Sequence, residues 1–458
     1  MLFNMYDGTG RPPRQQQKEV LDWLSSNWTS SDAFAILAPT ATGKSFIAKS
    51  IQLATGGHIL TCDNSLVRQY ISDYSDSNWC IGGDHYATKK EKLHYYSRSF
   101  EGYPSIFNPA SYYHLKDKIP TPTCLILDEA DQQLGLIRLQ LGRTIKMPLE
   151  TKVNSVTVRE AIKNCDNPGL KADFLRNQHN YSFEESYIKD GERVVTVYKI
   201  GLDRSTILRM FPEDIKLVFL SGTLFSQDMR ELSGGRDIKY YESSSPIPAG
   251  RRPILLDPLY EPDGGKSPLD YPVEYDKVAE HLKMVLDRYK DFRPAVIHCT
   301  YEDSLRLKEL IPDLLRNNKD DKAEVLLKIK ENKSEVLGAG MTTGLDLKDD
   351  KCRLNIILKA RFPSLGNLFV SKRVSQSRFG NWYIEETLRQ CIQAAGRSTR
   401  SANDYSITTI IDHRLIATIR NNGHLLPNYF KEAYISDYDE KVKTVDKLRE
   451  LVEGGDDV

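Results

Sequence analysis

The sequence has no apolar run close to the roughly 18 residues that a membrane-spanning helix requires, so no helical membrane anchor is expected. It has no excess of charge of either sign, since 63 Lys and Arg face 63 Asp and Glu. That balance excludes a uniformly basic nucleic-acid coat, yet leaves room for a basic groove inside a neutral total. Cysteine is scarce and scattered. The seven thiols (Cys62, Cys80, Cys124, Cys165, Cys299, Cys352 and Cys391) form no C-x-x-C pair. Their scatter speaks against a disulfide framework or zinc ribbon and for a reducing compartment. The nine histidines show no metal-ligand spacing. The opening residues, MLFNMYDGTGRPPRQQQ, hold neither the apolar core nor the small-residue cleavage site of a secretory signal. A cytoplasmic protein is expected, or a viral one acting in a host cytoplasm.

What is present is the balance of a globular chain, 40% hydrophobic and 28% charged, long enough for about three domains. Short apolar runs rich in β-branched residues recur: 33–37, 58–60, 105–107, 124–127, 216–220, 295–298, 355–358 and 406–411. Each is bounded by Gly, Pro, Ser or Asp and reads as a buried strand. Amphipathic stretches such as 18–24, 277–289 and 385–393 separate them. Strands alternating with helices imply parallel sheets covered on both faces, so the expected fold class is α/β. A polar stretch from 132 to 214 interrupts the first series, and Asp190-Gly191 within it signals a hairpin. The Pro- and Ser-rich segment 243–253 reads as a linker.

Three segments carry chemistry. The strand at 33–37 runs into APTATGKS, which places Thr40, Thr42, Gly43, Lys44 and Ser45 between a strand and a helix. Backbone N–H groups at such a turn cradle phosphate, with Lys44 as a point charge and the Ser45 hydroxyl as a Mg²⁺ ligand. Ala38 stands where the standard pattern has its first Gly. Further on, CLILDEAD ends in Asp128, Glu129, Ala130 and Asp131. At a strand's carboxyl end Asp128 can hold Mg²⁺ and Glu129 can activate water. The third segment, QAAGRSTR, presents Gln393, Arg397 and Arg400 at a helix end, with two guanidinium forks three positions apart.

With these three in place, the chain resembles superfamily 2 helicases of the XPD/DinG-like branch. Supporting segments follow in the family's order: RQQQ ending at Gln17, LTCDNSLVRQY (60–70), IFNPASYY (106–113), FLSGTLF (219–225), AVIHCTYEDS (295–304), GAGMTTGLDL (338–347) and IDHR (411–414). The resemblance implies two RecA-like parallel-sheet motor domains with ATP in the cleft between them, and an accessory arch-like insertion in the first. The expected divisions are 1–131 with 215–242 for the first domain, 132–214 for the insertion, 243–253 for the linker, 254–430 for the second domain and 431–458 for a C-terminal helix and tail. Gln17 would contact adenine, while Gly344 and Asp346 would lie near the ribose. Lys44, Ser45, Asp128 and Glu129 would act on phosphates and metal, with Arg397 and Arg400 as finger arginines. Ser221 and Thr223 would couple hydrolysis to the nucleic-acid path. Asn64, Arg68, Asn108, Thr300 and Tyr301 are candidate nucleic-acid contacts.

The departures are also informative. Between the phosphate loop and D-E-A-D many members of this branch carry four cysteines for an iron–sulfur cluster, whereas this interval holds Cys62, Cys80 and Cys124 alone. ATP and Mg²⁺ are therefore expected as ligands, without an iron–sulfur cluster or zinc. Gly222 replaces the usual Ala, and Thr343 replaces the usual Glu. Residues 341–420 carry more Lys and Arg than Asp and Glu, interleaved with Phe362, Phe369, Phe379, Trp382 and Tyr383, as a strand-binding surface would. The partners expected are single-stranded, forked or branched DNA and replication or recombination proteins, with no membrane and a monomeric state. Unwinding, branch migration, fork remodelling and an ATP-gated clamp all stay open, with a small-molecule P-loop kinase disfavoured by the second-half motifs. The size suits a viral or bacterial repair role.

Overall fold

The computed structural model describes residues 10–82, 86–259, 267–316, 335–339, 352–396, 398–399, 401 and 403–453. It divides into two compact units. The first takes in the chain up to Leu37, then Gly43–Ser243 and Pro363–Trp382. The second takes in Ala38–Thr42, Ser244–Phe362 and the chain from Tyr383 onward.

The first unit is built on seven parallel strands, β1 (Ala33–Leu37), β2 (His58–Thr61), β3 (Asn78–Cys80), β4 (Ser105–Phe107), β5 (Cys124–Asp128), β9 (Lys216–Ser221) and β10 (Ile238–Glu242). They lie in the order β10-β1-β9-β5-β2-β4-β3. β1 and β5 are buried at every position, which is why they read as unbroken apolar runs rather than alternating ones. The register pairs Thr61 with Asp128, Asp128 with Leu220, and Leu37 with Ser221. The carboxyl ends of β2, β5, β9 and β1 thus form one row, the rim where open α/β sheets take their ligands.

Its helices are α1 (Gln15–Asn27), α2 (Lys44–Thr55), α3 (Asn64–Asp73), α4 (Lys89–Phe100), α5 (Pro109–Leu115), α6 (Ala130–Leu141), α7 (Ser155–Asn164), α8 (Pro168–Arg176), α9 (Arg204–Ile207) and α10 (Ser226–Leu232). Several start on side-chain caps: Asp63 accepts from Leu66 N, Thr88 from Glu91 N and Asn108 from Ser111 N, each supplying an acceptor to an otherwise orphaned first-turn N–H.

Within 132–214, residues Ala130–Leu141 form one helix with the D-E-A-D segment at its start. A separate antiparallel sheet follows, β6 (Arg143–Pro148), β8 (Glu192–Lys199) and β7 (Tyr181–Lys189), with β8 in the middle. Ile145, Met147, Val195 and Val197 point into a small core shared with Val158, Ile162, Leu170 and Phe174 of α7 and α8. The β7–β8 hairpin turns at Asp190 (φ 53°) and Gly191 (φ 77°), the two successive positive φ angles of a tight twisted hairpin.

The second unit holds six parallel strands in the order β11-β16-β15-β12-β14-β13. They are β11 (Ile254–Leu256), β12 (Ala295–His298), β13 (Leu315–Arg316), β14 (Val336–Leu337), β15 (Leu354–Ile357) and β16 (Ile407–Ile410). Two parallel-strand α/β sheets are the fold class read from the sequence. The remaining helices are α11 (Tyr275–Arg288), α12 (Tyr301–Leu310), α13 (Leu368–Val374), α14 (Trp382–Ala395), α15 (His413–Asn421), α16 (Asn428–Ala433) and α17 (Tyr438–Glu453). Of these, α13 packs in the first unit. In the second unit the buried Asp257 accepts from Tyr289 Oη (2.7 Å), Thr409 Oγ1 (2.7 Å) and Lys441 Nζ (2.6 Å), fastening α11 and α17 to the sheet.

Candidate functional site

The turn after β1 ends on Gly43, whose φ of 81° is the left-handed conformation that glycine adopts without penalty. A second reason for glycine is contact. The buried Gln17 amide donates to Gly43 O at 3.4 Å, and a Cβ at position 43 would stand 2.4 Å from Gln17 Nε2. Gln17 is fixed from its other end, where Oε1 accepts from Arg14 N at 2.8 Å. The glutamine therefore braces the turn between β1 and α2. Thr42 is buried, while Thr40, Lys44 and Ser45 are half-buried.

Lys44 opens α2 and points toward the end of β5, where its Nζ lies 3.2 Å from Glu129 Oε1. Burial alone would lower its pKa, but Glu129, then Asp128 and Asp131, outweigh this and hold it above its ordinary value. Asp128 is buried, with Oδ2 accepting from Tyr70 Oη at 2.9 Å and Oδ1 from Glu129 N at 3.1 Å. Burial, and then the charge of Glu129, raise it to about 6 against the pull of Lys44. Glu129 has φ 53° and ψ 50°, a left-handed backbone that costs a non-glycine residue on the order of 1 kcal/mol or more. The strain aims its side chain at Lys44 instead of along α6.

Asp131 joins this segment to the next. Ser221 Oγ donates to Asp131 Oδ1, and Thr223 Oγ1 donates to Oδ2 at 2.6 Å. Thr223 N in turn donates to Ser221 Oγ at 3.0 Å. All three side chains are buried. The sequence pointed to Ser221 and Thr223 but not to Asp131 as their shared acceptor. Gln133 is another residue the motifs did not mark: its Nε2 donates to Leu60 O (2.8 Å) and Asp128 O (2.6 Å), tying the ends of β2 and β5.

Asn64 and Asn108 meet at the carboxyl ends of β2 and β4, with Asn108 Nδ2 donating to Asn64 Oδ1 at 2.7 Å; Arg68 is exposed on α3. In the second unit Thr300 caps α12, and the exposed Tyr301 ring lies under Arg316, 4.6 Å from ring centre to guanidinium. Gln393 is half-buried on α14. Asn355 of β15 donates to Ser398 Oγ at 2.7 Å, fixing the chain beside the arginine segment. Gly344, Asp346, Arg397 and Arg400 lie outside the described residues.

Three of the aromatic residues of 362–383 pack on a buried cation: Phe369, Phe379 and Trp382 surround the Arg373 guanidinium. Three arginines of this stretch are paired internally, Arg353 with Asp404, Arg373 with Glu231 and Arg389 with Glu386. Beside β3 the first unit packs a group of rings. Trp79 lies 4.3 Å from Tyr86 and 4.8 Å from Tyr95, and Cys80 packs against Ser99. Among the described residues no group of three or more His, Cys, Asp or Glu is placed to hold a metal ion, and no helix is long and apolar enough to cross a membrane.

Comparison with known proteins bears on both halves. Residues 282–433 match the helicase C-terminal domain family. The ATP-dependent DNA helicase CHL1 of Debaryomyces hansenii is 27% identical over 132 residues, 25% of this chain and 15% of that protein, so the match spans a small part of its length. Among solved structures, S. tokodaii Xpd4 superposes with a TM-score of 0.59 at 14% identity, covering 92% of this chain and all of that one. An apo XPD gives 0.58 at 14% identity, over 89% and 98% of the two chains. S. cerevisiae Dbp5 bound to RNA and ADP BeF3 gives 0.50 at 13%, over 97% and 96%. The fold is that of RecA-like helicases.

Proposed function

We propose that this chain is a superfamily 2 helicase of the XPD/DinG-like branch, a nucleic-acid-dependent ATPase that couples hydrolysis to strand separation on DNA. The observation that carries the reading is a set of contacts meeting at 129–131: Gln17 on Gly43 and Lys44 on Glu129, with Asp131, two residues further along, holding Ser221 and Thr223. It joins a phosphate loop to a segment that can report hydrolysis.

The residues present fit ATP with Mg²⁺. Gly43 takes the left-handed backbone of the turn that opens α2, and Lys44 lies beside the carboxylates of Glu129 and Asp128, oxygen donors of the kind Mg²⁺ takes. Ser45 and Asp128 would hold the Mg²⁺, which when bound supplies charge neutralisation at the phosphate oxygens. Thr40, Thr42 and Gly43 would line the phosphates, with Lys44 as their positive partner. Glu129 orients and accepts a proton from water. Gln17 buttresses the loop and stands where the family contacts adenine. Gly344, Asp346, Gln393, Arg397 and Arg400 enter by resemblance, the first two at the ribose and the arginines on the transferring phosphoryl group. Arg397→Ala is expected to cut turnover by about 10³-fold with ATP affinity less affected, and a raised KM alone would count against the finger role.

Asn64, Arg68, Asn108, Thr300 and Tyr301 are the proposed nucleic-acid contacts. The deciding experiment presents tailed, forked and four-way DNA with ATP and Mg²⁺. Displacement of a fork supports a helicase, movement of the four-way junction alone supports a branch-migration motor, and ATP-dependent binding without either supports a clamp. A repair, recombination or replication role, cytoplasmic action and a monomeric state belong to the same proposal.

A further inference from the structure

The first unit buries an ion triad that nucleotide chemistry does not require. Glu231 of α10 is 4% exposed and Arg373 of α13 is 0% exposed. Glu231 Oε1 accepts from Arg373 NH2 (2.5 Å) and Gln227 Nε2 (3.1 Å). Its Oε2 accepts from Arg138 NH2 of α6 (2.8 Å) and from Leu202 N (3.1 Å). Arg373 also donates to Ile200 O at 2.7 Å, at the foot of the β7–β8 hairpin. Its guanidinium lies 4.2 Å from the Phe379 ring centre and 4.5 Å from that of Trp382. Taking such charges out of water costs several kcal/mol per ion before pairing, and apolar residues could fill the same volume. What the ions add is orientation, because a guanidinium tied through one terminal nitrogen to Ile200 O and through the other to Glu231 narrows the arrangements open to α6, α10 and α13.

Two of these helices begin at the candidate nucleotide site: α6 starts beside Glu129, and α10 follows Thr223 by three residues. The third grips the accessory hairpin. Lys372 Nζ donates to Tyr181 O (2.7 Å) and Gln178 O (2.9 Å). Gln376 donates to His179 O and Arg378 to Asn180 Oδ1. Gly201, just after β8, lies so near Phe379 that a Cβ there would meet the ring at 2.7 Å. The hairpin foot is therefore bolted down while its tip carries exposed Tyr187 and Ile188.

Resting on the reading of the chain as an ATP-driven motor, we propose that Arg373 is a positioning residue: through Glu231 it transmits shifts of α6 against α10 to the β7–β8 hairpin. The physical warrant is a shared rigid element that the nucleotide segments and the hairpin both contact.

Arg373→Lys keeps the charge but loses the fork. The milder Lys372→Ala/Arg378→Ala pair loosens the hairpin foot and leaves the triad whole, which covers the case of a poorly folded Arg373→Lys. For each full-length protein, kcat and KM of single-strand-stimulated ATP hydrolysis, displacement of a forked duplex and the unfolding midpoint are measured. The expected result is hydrolysis within about twofold of the unmodified protein and displacement down by about tenfold or more, a split in the two rates. Parallel loss of both rates with a lowered midpoint would mean a purely structural triad and overturn the proposal, as would unchanged displacement per ATP in both variants. If the unmodified protein hydrolyses ATP indifferently to nucleic acid, the motor reading itself fails, a result distinct from these.

Discussion

Lys44 and Glu129 face one another at 3.2 Å, the lysine from the first turn of α2 and the glutamate from a left-handed backbone at the end of β5. On the proposed function, the lysine would meet the triphosphate and the glutamate its attacking water. Lys44→Ala should abolish turnover while leaving the unfolding midpoint near that of the unmodified protein. Glu129→Gln should bind ATP and hydrolyse it at least about 100-fold more slowly, the usual size of a lost general base. Equilibrium nucleotide binding beside steady-state turnover separates the two, and wild-type hydrolysis by Glu129→Gln would refute the assignment of the base.

Gly43→Ala suffers twice, from its positive φ and from the Gln17 amide. Nucleotide binding should fall sharply. Adding Gln17→Ala relieves the clash but not the backbone, so the double variant should recover part of the affinity. Complete recovery would show that the φ angle matters little.

Ser221→Ala removes one donor to Asp131 and the acceptor of Thr223 N–H. Leaving a buried N–H unmet costs about 1–3 kcal/mol, so the unfolding midpoint should drop measurably. Displacement of a fork should drop further than ATP hydrolysis; equal losses would argue against a coupling role for the hydroxyl.

Acid acts on the first unit through three buried groups. Burial lowers the His58 pKa from 6.5 to about 4, so the folded state prefers neutral imidazole. That contribution is complete above pH 6.5 and is lost as pH falls toward 4. Glu231 moves from 4.5 to about 2: burial alone would raise it, but Arg138 and Arg373 prevail. Its contribution is complete above 4.5 and is lost as pH falls toward 2. Asp128, raised to about 6, has the opposite sign and gains stability as pH falls from 6 toward 3.8, offsetting His58 there. Unfolding midpoints should therefore decline chiefly below about pH 4.5, and His58→Gln should leave midpoints that rise between about pH 6 and 4. An unaltered slope would remove His58 from the account.

Excising the small antiparallel sheet tests the hairpin as an obstacle between strands. Arg143 pairs with Val197, so a short Gly/Ser bridge can replace 143–199 while keeping Arg138, Ile200 and Leu202 in place. Single-strand-stimulated ATPase should persist and fork displacement should vanish. Displacement at the full rate would eliminate the wedge and direct attention to partners docking on α7 and α8.

The strands legible in the sequence were those whose burial is complete. AFAIL and CLILD pack on both faces and so appear as continuous apolar runs. β10, IKYYE, is half-exposed throughout, and β3 has three residues; neither offers a pattern to read. Lys44, Asp128 and Ser221 were legible because phosphate and metal chemistry constrains residue type at fixed places along strands. The left-handed Glu129 and the acceptor role of Asp131 depend on how strand ends align, which local spacing does not encode. Phe369, Phe379 and Trp382 looked like bases for stacking because an aromatic beside a cation reads alike on a surface and in a core. Their cation, Arg373, finds its carboxylate 142 positions away, beyond any local signal.

The segment Pro363–Trp382 lies inside the stretch that matches a helicase C-terminal domain, yet it folds with the first unit. The two halves are consequently interlaced in sequence, and no single cut yields two self-sufficient proteins. A fragment ending at Ser243 would retain the phosphate loop but leave Glu231 with one arginine and bare the surface that Phe369, Phe379 and Trp382 cover. Such a fragment should be poorly soluble by itself and should be rescued in trans by a peptide of residues 363–382, a complementation that would make the interlacing directly visible.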